Sequence, residues 1–249
     1  MDDSPTAKIR NRFERVVISI DEAIARRQPE VNKELGSKPV KIHLVVVTKS
    51  QPVEIVRAAI DAGATILGEN YAEEAVEKIA ALPDCQVEWH MIGHVQSRKA
   101  GLVAKNFSML HSMDNIKLAG KLNRACEESD RTLAVLVEIN VSGEENKFGI
   151  PAWDEDNWHY LLPIFEQFMA FPRLTLHGLM TMPPFFEDPE LVRPYFQRLR
   201  RLREYLRGHF PKIDLSDLSM GTSSDYLIAV EEGATYVRVG QAILGPRPV

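Results

Sequence analysis

The chain of 249 residues holds only two cysteines, Cys85 and Cys126. That is too few for a disulfide framework or a cysteine metal site, and it suits a reducing compartment. Positive charge is not in excess either: 35 Asp and Glu face 30 Lys and Arg, for a net charge of −5. Bulk electrostatics therefore give no ground for nucleic acid as a partner. No apolar run approaches the roughly 18 residues of a spanning helix. The N-terminus, MDDSPTAKIR, has neither an apolar signal core nor Arg/Ser-rich transit character. The reading is a cytoplasmic protein without a membrane partner, an organelle being left open.

What is present is a rhythm. Ile9, Phe13, Val16, Val17, Ile20 and Ile24 recur at helical spacing, so residues 1–30 are expected to supply an N-terminal helix packed on the rest. RRQPEVNKELGSKP then reads as a polar linker. After it come eight short apolar runs: IHLVVVTK, TILG, VEWHMIG, SMLHSM, LAVLVEINV, LTLHGLMTM, LSMGTSS and YVRVGQAILG. Amphipathic helical patterns follow the first seven, near 52–62, 70–81, 95–104, 114–128, 154–170, 188–209 and 224–232. Pro52, Gly63, Pro83, Pro163, Pro172 and Gly233 mark junctions. The gap-free alternation favours one domain over 1–249, an α/β closed (β/α)8 TIM barrel, over an open doubly wound sheet. The irregular stretches VSGEENKFGIPAWDEDN and PPFFEDPE follow strands directly, which places them on the face where such barrels carry their sites.

Lys49 ends the run IHLVVVTK. A lysine there either snorkels into solvent or stands in a partly dry pocket, where a lowered pKa lets the amine form Schiff bases. Val45, Val47 and Lys49 share one strand face, so an inward face brings Lys49 to the barrel mouth. LSMGTSSDYLIAVEEG ends a strand in Gly221, Thr222, Ser223 and Ser224 before a helix beginning at Asp225. Small and hydroxyl residues there suit a phosphate, and equally a plain helix cap. In the last run Arg238 and Gly240 share a face. A buried arginine needs an acceptor opposite it, and Gly240 lets a ligand or backbone come close. The loops after strands 7 and 8 are the frequent phosphate site of a barrel.

Other polar residues read more plainly. Asn70 in GENYAEEAVEKI stands at a strand-to-helix junction, where a cap is the local reading. His90 and His94 lack a third ligand at metal spacing, so no metal is expected; His94 caps or lines its loop and His90 is a satisfied strand histidine. Met180 and Met182 read as barrel core, with Met180 near the mouth. RLRRLREYLR is a solvated helix face around Leu199, Leu202 and Leu206. Trp153 and Trp158 flank an acidic loop without an assigned role.

The segments VTK, GENYAEEAVEK, EWHMIGHVQSRK, HSMDN, NVSGEENKFG, HGLMTM, LSMGTSSDY and EEGATYVRVGQAILGPR together resemble the pyridoxal-5′-phosphate (PLP) homeostasis proteins, also called alanine-racemase-N-domain-like or proline-synthase co-transcribed proteins. The resemblance covers nearly the whole chain after the first helix. It implies a fold-type-III PLP barrel with PLP as cofactor. Lys49 matches the lysine that holds PLP as an internal aldimine. Gly221 and Ser223 match the phosphate turn, Gly240 the second phosphate contact, Arg238 the arginine facing the pyridine nitrogen, and Asn70 an asparagine near the cofactor. The chain departs from the family's SMGMS at Thr222 and from its RIGT at Gln241, which removes a threonine hydroxyl from the phosphate end while leaving a backbone N–H. Asn146–Gly149 replaces SKSG.

An arginine at the ring nitrogen donates and keeps that nitrogen unprotonated, which weakens the ring as an electron sink. Alanine racemase adds a β-rich domain and a second base to this barrel. The sequence here ends at Val249, directly after its last strand-like run, and neither is expected. The implied function is an intracellular PLP carrier, buffer or regulator without catalysis, monomeric or weakly dimeric, with apo PLP-dependent enzymes as candidate recipients. The alternative is a PLP-dependent racemase or lyase with an unidentified second base.

Overall fold

The computed structural model describes residues 4–35 and 41–246. Ser4 opens the first helix, α1 (Pro5–Ala25), by accepting the Ala7 N–H at 3.2 Å, with Pro5 preset for the first turn. Ile9, Val16, Ile20 and Ala23 form its buried stripe and join the main core. Polar links also fasten this end of the chain, among them Ser19 Oγ, 2.8 Å from Tyr226 OH, and Arg27 Nε, which donates to the Val230 carbonyl at 2.7 Å. Part of the expected polar linker is a helix, α2 (Pro29–Leu35). Its proline stands at the first helical position, where no N–H is needed. Residues 36–40 of that linker lie outside the described residues.

The apolar runs form parallel strands: β1 (His43–Val47), β2 (Ile66–Glu69), β3 (Glu88–Met91), β4 (Met109–Met113), β5 (Leu133–Asn140), β7 (Leu174–Met180), β8 (Asp217–Ser219) and β9 (Tyr236–Val239). They pair in the order β4-β3-β2-β1-β9-β8-β7-β5, and a β4–β5 pairing closes the barrel. A two-residue strand, β6 (Ile150–Pro151), adds to the end of β5. Helices cover the outside: α3 (Val53–Asp61), α4 (Ala72–Ala81), α5 (Ala100–Asn106), α6 (Ile116–Glu128), α7 (Leu162–Met169), α8 (Arg193–His209) and α9 (Tyr226–Glu231). This is the expected (β/α)8 barrel.

The last apolar run is not one strand. It stops at Val239, and Gln241–Leu244 forms a short helix, α10. An apolar stretch this short fits either period, and its inward strand positions end at Arg238.

Strand alternation produces two cores. Outward side chains such as Val46, Leu67 and Val237 pack under the helices. Inward ones, Val45, Ile66, Met109, Leu136, Met180 and Tyr236, fill the barrel. Met180 is barrel core, as its sequence context implies. Further inward positions are polar: His90 on β3, His111 on β4, Glu138 on β5, Ser219 on β8 and Arg238 on β9, all buried. Trp158 is buried, donates to the Ala152 carbonyl at 3.0 Å and packs on Tyr205. Trp153 is half exposed and lies over Gly143.

Candidate functional site

Lys49 leaves the end of β1 on the inward face of Val45 and enters a cavity of about 1000 Å³ at the C-terminal ends of the strands. Its turn is held by a buried ionic cluster. Lys78 Nζ donates to the Thr48 carbonyl at 2.6 Å, to Glu69 Oε1 at 2.7 Å and to Glu74 Oε1 at 2.5 Å. Thr48 Oγ1 donates to Glu69 Oε1 at 2.7 Å, and the Ser50 N–H donates to Glu74 Oε1 at 2.6 Å. Ser50 takes a left-handed backbone, φ 57°, that turns the chain beneath the lysine. The Lys78 and Glu69 side chains are 5% and 0% exposed. Burial raises the Glu69 carboxyl, and the Lys78 and Thr48 hydrogen bonds oppose that rise. This cluster is not expected from the sequence pattern. Its available signals were an acidic residue ending β2 and the Glu74–Lys78 spacing of four.

Asn70 follows β2 and lines the cavity. Its Oδ1 is buried and has no hydrogen-bond partner, so it is not the cap its local sequence suggests. Across the mouth, Thr222, Ser223 and Ser224 line the wall beside Gly240 and Gln241. Ser223 Oγ accepts the Gly240 N–H at 3.2 Å and the Ala242 N–H at 3.3 Å, joining the β8 and β9 loops. Asp225 Oδ1 accepts the Thr222 N–H at 2.5 Å.

The two glycines act through close packing. Gly221 has φ +90°, and a Cβ there would lie 2.5 Å from the Ala229 Cβ, so its bareness lets α9 start against β8. It is not among the cavity-lining residues. A Cβ on Gly240 would lie 3.0 Å from the Val47 carbonyl, so what comes close is the backbone of β1.

Arg238, only 4% exposed, reaches the cavity from below. Its acceptors are Ser219 Oγ at 2.6 Å, the Thr181 carbonyl at 2.9 Å and Met182 Sδ at 2.9 Å. The acceptor expected opposite the arginine is thus a hydroxyl and a carbonyl, and no described carboxylate lies within ion-pair distance. Burial lowers the guanidinium to about 10, and the charges of Asp225 and Glu138 oppose that. Met182, expected in the core, instead lines the cavity half exposed, because the strand ends at Met180. His94 also lines it, stacked on Phe148 with centroids 4.0 Å apart and Nδ1 3.0 Å from Asp114 Oδ2.

One lining residue had no sequence signal beyond alternation. Glu138 is 6% exposed and follows Leu136 on the inward face of β5. Its side chain makes no hydrogen bond or ion pair with the described residues. Burial and the charge of Asp114 push its carboxyl up to about 7, against the pull of Arg238. A carboxyl so tuned can take up or release a proton near neutrality.

The parallel barrel is that of the family described as alanine racemase, N-terminal domain, whose model matches residues 21–248. The chain belongs to that family, in its branch of pyridoxal phosphate homeostasis proteins. It is 39% identical over 216 residues to the pyridoxal phosphate homeostasis protein of Vibrio alginolyticus, covering 85% of this chain and 89% of that protein. The structure of PipY from Synechococcus elongatus with PLP bound superposes with TM-score 0.74 at 30% identity, over 86% of this chain and 100% of PipY. Alanine racemase from Streptomyces coelicolor shares the fold at TM-score 0.67 and 18% identity, over 96% of this chain and 58% of the racemase.

Proposed function

We propose that the chain binds PLP in this cavity and serves intracellular PLP homeostasis as a carrier or buffer. The observation that carries the reading is convergence: Lys49, Asn70, Ser223, Arg238 and Gly240 come from four strand ends and line one cavity. The residues fit the cofactor. The orphaned Asn70 Oδ1 awaits a donor, and Ser223 with the Gln241 backbone gives a hydroxyl and an N–H at one end, beside Gly240. PLP supplies an electrophilic aldehyde and an electron-withdrawing ring. Lys49 Nζ would hold it through a reversible Schiff base, Arg238 would donate to the ring nitrogen, and Ser223 and Gln241, beside Gly240, would receive the phosphate. Gly221 contributes by shaping that turn. A donating guanidinium leaves the ring nitrogen unprotonated, which favours holding over carbanion chemistry.

Purified protein mixed with PLP, dialysed and treated with borohydride should carry a stable covalent pyridoxyl group that Lys49→Ala loses. A Lys49→Ala protein that still retains a reducible link refutes the role of Lys49.

Glu138 favours a second reading, a PLP-dependent racemase or lyase, because it places an acid–base carboxyl in the cavity where none was expected. Incubation with an amino-acid panel in D2O separates the two. Sustained α-hydrogen exchange above that of free PLP, lost in Glu138→Gln, supports the enzyme; exchange no faster than free PLP supports the carrier.

A further inference from the structure

Below the cavity a line of polar side chains crosses the barrel interior. Arg238 donates through one terminal nitrogen to Ser219 Oγ at 2.6 Å. Ser219 Oγ lies 2.8 Å from His111 Nδ1, His111 Nε2 lies 3.0 Å from His90 Nδ1, and His90 Nε2 lies 3.2 Å from Glu88 Oε2. Ser219, His111 and His90 are buried, while the Glu88 side chain is 65% exposed at the opposite end of the barrel. Four strands, β9, β8, β4 and β3, contribute to one continuous chain.

The ends of the chain fix the direction of every hydrogen. A guanidinium only donates and a carboxylate only accepts. At one end the Ser219 hydroxyl accepts from Arg238, and its only other hydrogen-bond partner among the described residues is His111, so its O–H points at His111 Nδ1. His111, neutral, then carries its proton on Nε2 and donates to His90 Nδ1. At the other end the Glu88 carboxylate requires a proton on His90 Nε2, which leaves His90 Nδ1 as an acceptor. Both ends yield the same pair of tautomers. Burial lowers His90 to about 4 and His111 well below its usual value, so both rings stay neutral. The Tyr236 ring walls the line, with centroids 5.2 Å from His111 and 5.9 Å from His90.

We propose that Ser219, His111 and His90 are positioning residues for Arg238, a one-way hydrogen-bond chain that aims the guanidinium at the cavity and anchors it to the far end of the barrel at Glu88. The arrangement explains why the barrel interior carries two histidines where apolar side chains would fill it. A fully satisfied interior chain specifies one geometry, whereas a broken one leaves buried groups unpaired. The link from Arg238 to the ligand rests on the function proposed above; the chain itself does not.

The test has two arms. In the first, 15N-histidine NMR of the protein without PLP should show His90 and His111 as neutral Nε2–H tautomers from pH 6 to 8. An Nδ1–H tautomer or a charged ring at either position overturns the chain. Glu88→Ala, at the exposed end, leaves the core packing intact and should shift the His90 Nε2 resonance; an unchanged spectrum also overturns it. In the second arm, Ser219→Ala should bind PLP about tenfold more weakly, and Ser219→Thr, which keeps the hydroxyl, should bind close to wild type. Equal affinity for Ser219→Ala and wild type overturns the positioning role. Wild-type protein that takes up no PLP refutes the function proposed above, and the NMR arm then decides the chain by itself.

Discussion

Replacing Glu138 by glutamine keeps the shape of the side chain and removes its ionisation, and the structure sets how large the effect should be. The carboxyl is 6% exposed, and burial with the nearby Asp114 charge moves it from 4.5 to about 7. Each pKa unit corresponds to about 1.4 kcal/mol, so the group contributes ~3 kcal/mol of pH-dependent stability. The sign follows from proton binding. Between pH 4.5 and 7 the folded protein holds this proton more tightly than the unfolded chain does. The contribution is complete below pH 4.5, falls as pH rises to 7, and is absent above. Glu138→Gln should therefore be no more stable than wild type near pH 4.5 and ~3 kcal/mol more stable at pH 8. Urea unfolding without PLP at pH 5, 6, 7 and 8 reads this as a midpoint gap that opens with pH at constant m-value. His90 and His111 titrate in the opposite sense, since their lowered pKa values add stability as pH rises. They are present in both proteins and cancel in the difference. A gap of the same size at every pH, or a variant less stable at pH 8, would refute the reasoning.

Two further outcomes follow from the geometry. Lys78→Met removes the only cation paired with the buried Glu69 among the described residues and leaves it the Thr48 hydroxyl alone, so it should lower stability by about 3–5 kcal/mol in urea unfolding and weaken PLP uptake by loosening the Lys49 turn. Gln241→Thr restores a hydroxyl at the proposed phosphate end, so it should tighten PLP severalfold in a fluorescence titration; an unchanged affinity would mean that the backbone N–H suffices there.

The barrel was legible because buried parallel strands read as unbroken apolar runs and amphipathic helices separate them. Parity carried the reading of Lys49: with Val45 in the barrel interior, the residue four positions on enters the mouth. Pairings across long sequence distances were not legible. Glu69 looks like an ordinary acidic strand end and Lys78 like an ordinary basic residue in the last turn of a helix, and only the fold sets both against the Thr48 turn. Arg238 announced a need for an acceptor, but its supplier, Ser219, depends on how β8 meets β9. Glu138 looks like one polar residue in an apolar strand until alternation is tied to a known inside. At Gln241–Leu244 and Pro29–Leu35, short segments satisfied two local readings, and tertiary packing chose the helix.

The clamp on the Lys49 turn has a consequence for how a ligand is received. The Thr48 carbonyl and the Ser50 N–H, on either side of the lysine, are both tied to side chains of α4. The backbone that presents the amine is ordered when the barrel folds. Little conformational entropy then remains to be lost at the moment of capture, so affinity at this mouth is preorganised in a helix whose ionic groups lie behind the turn.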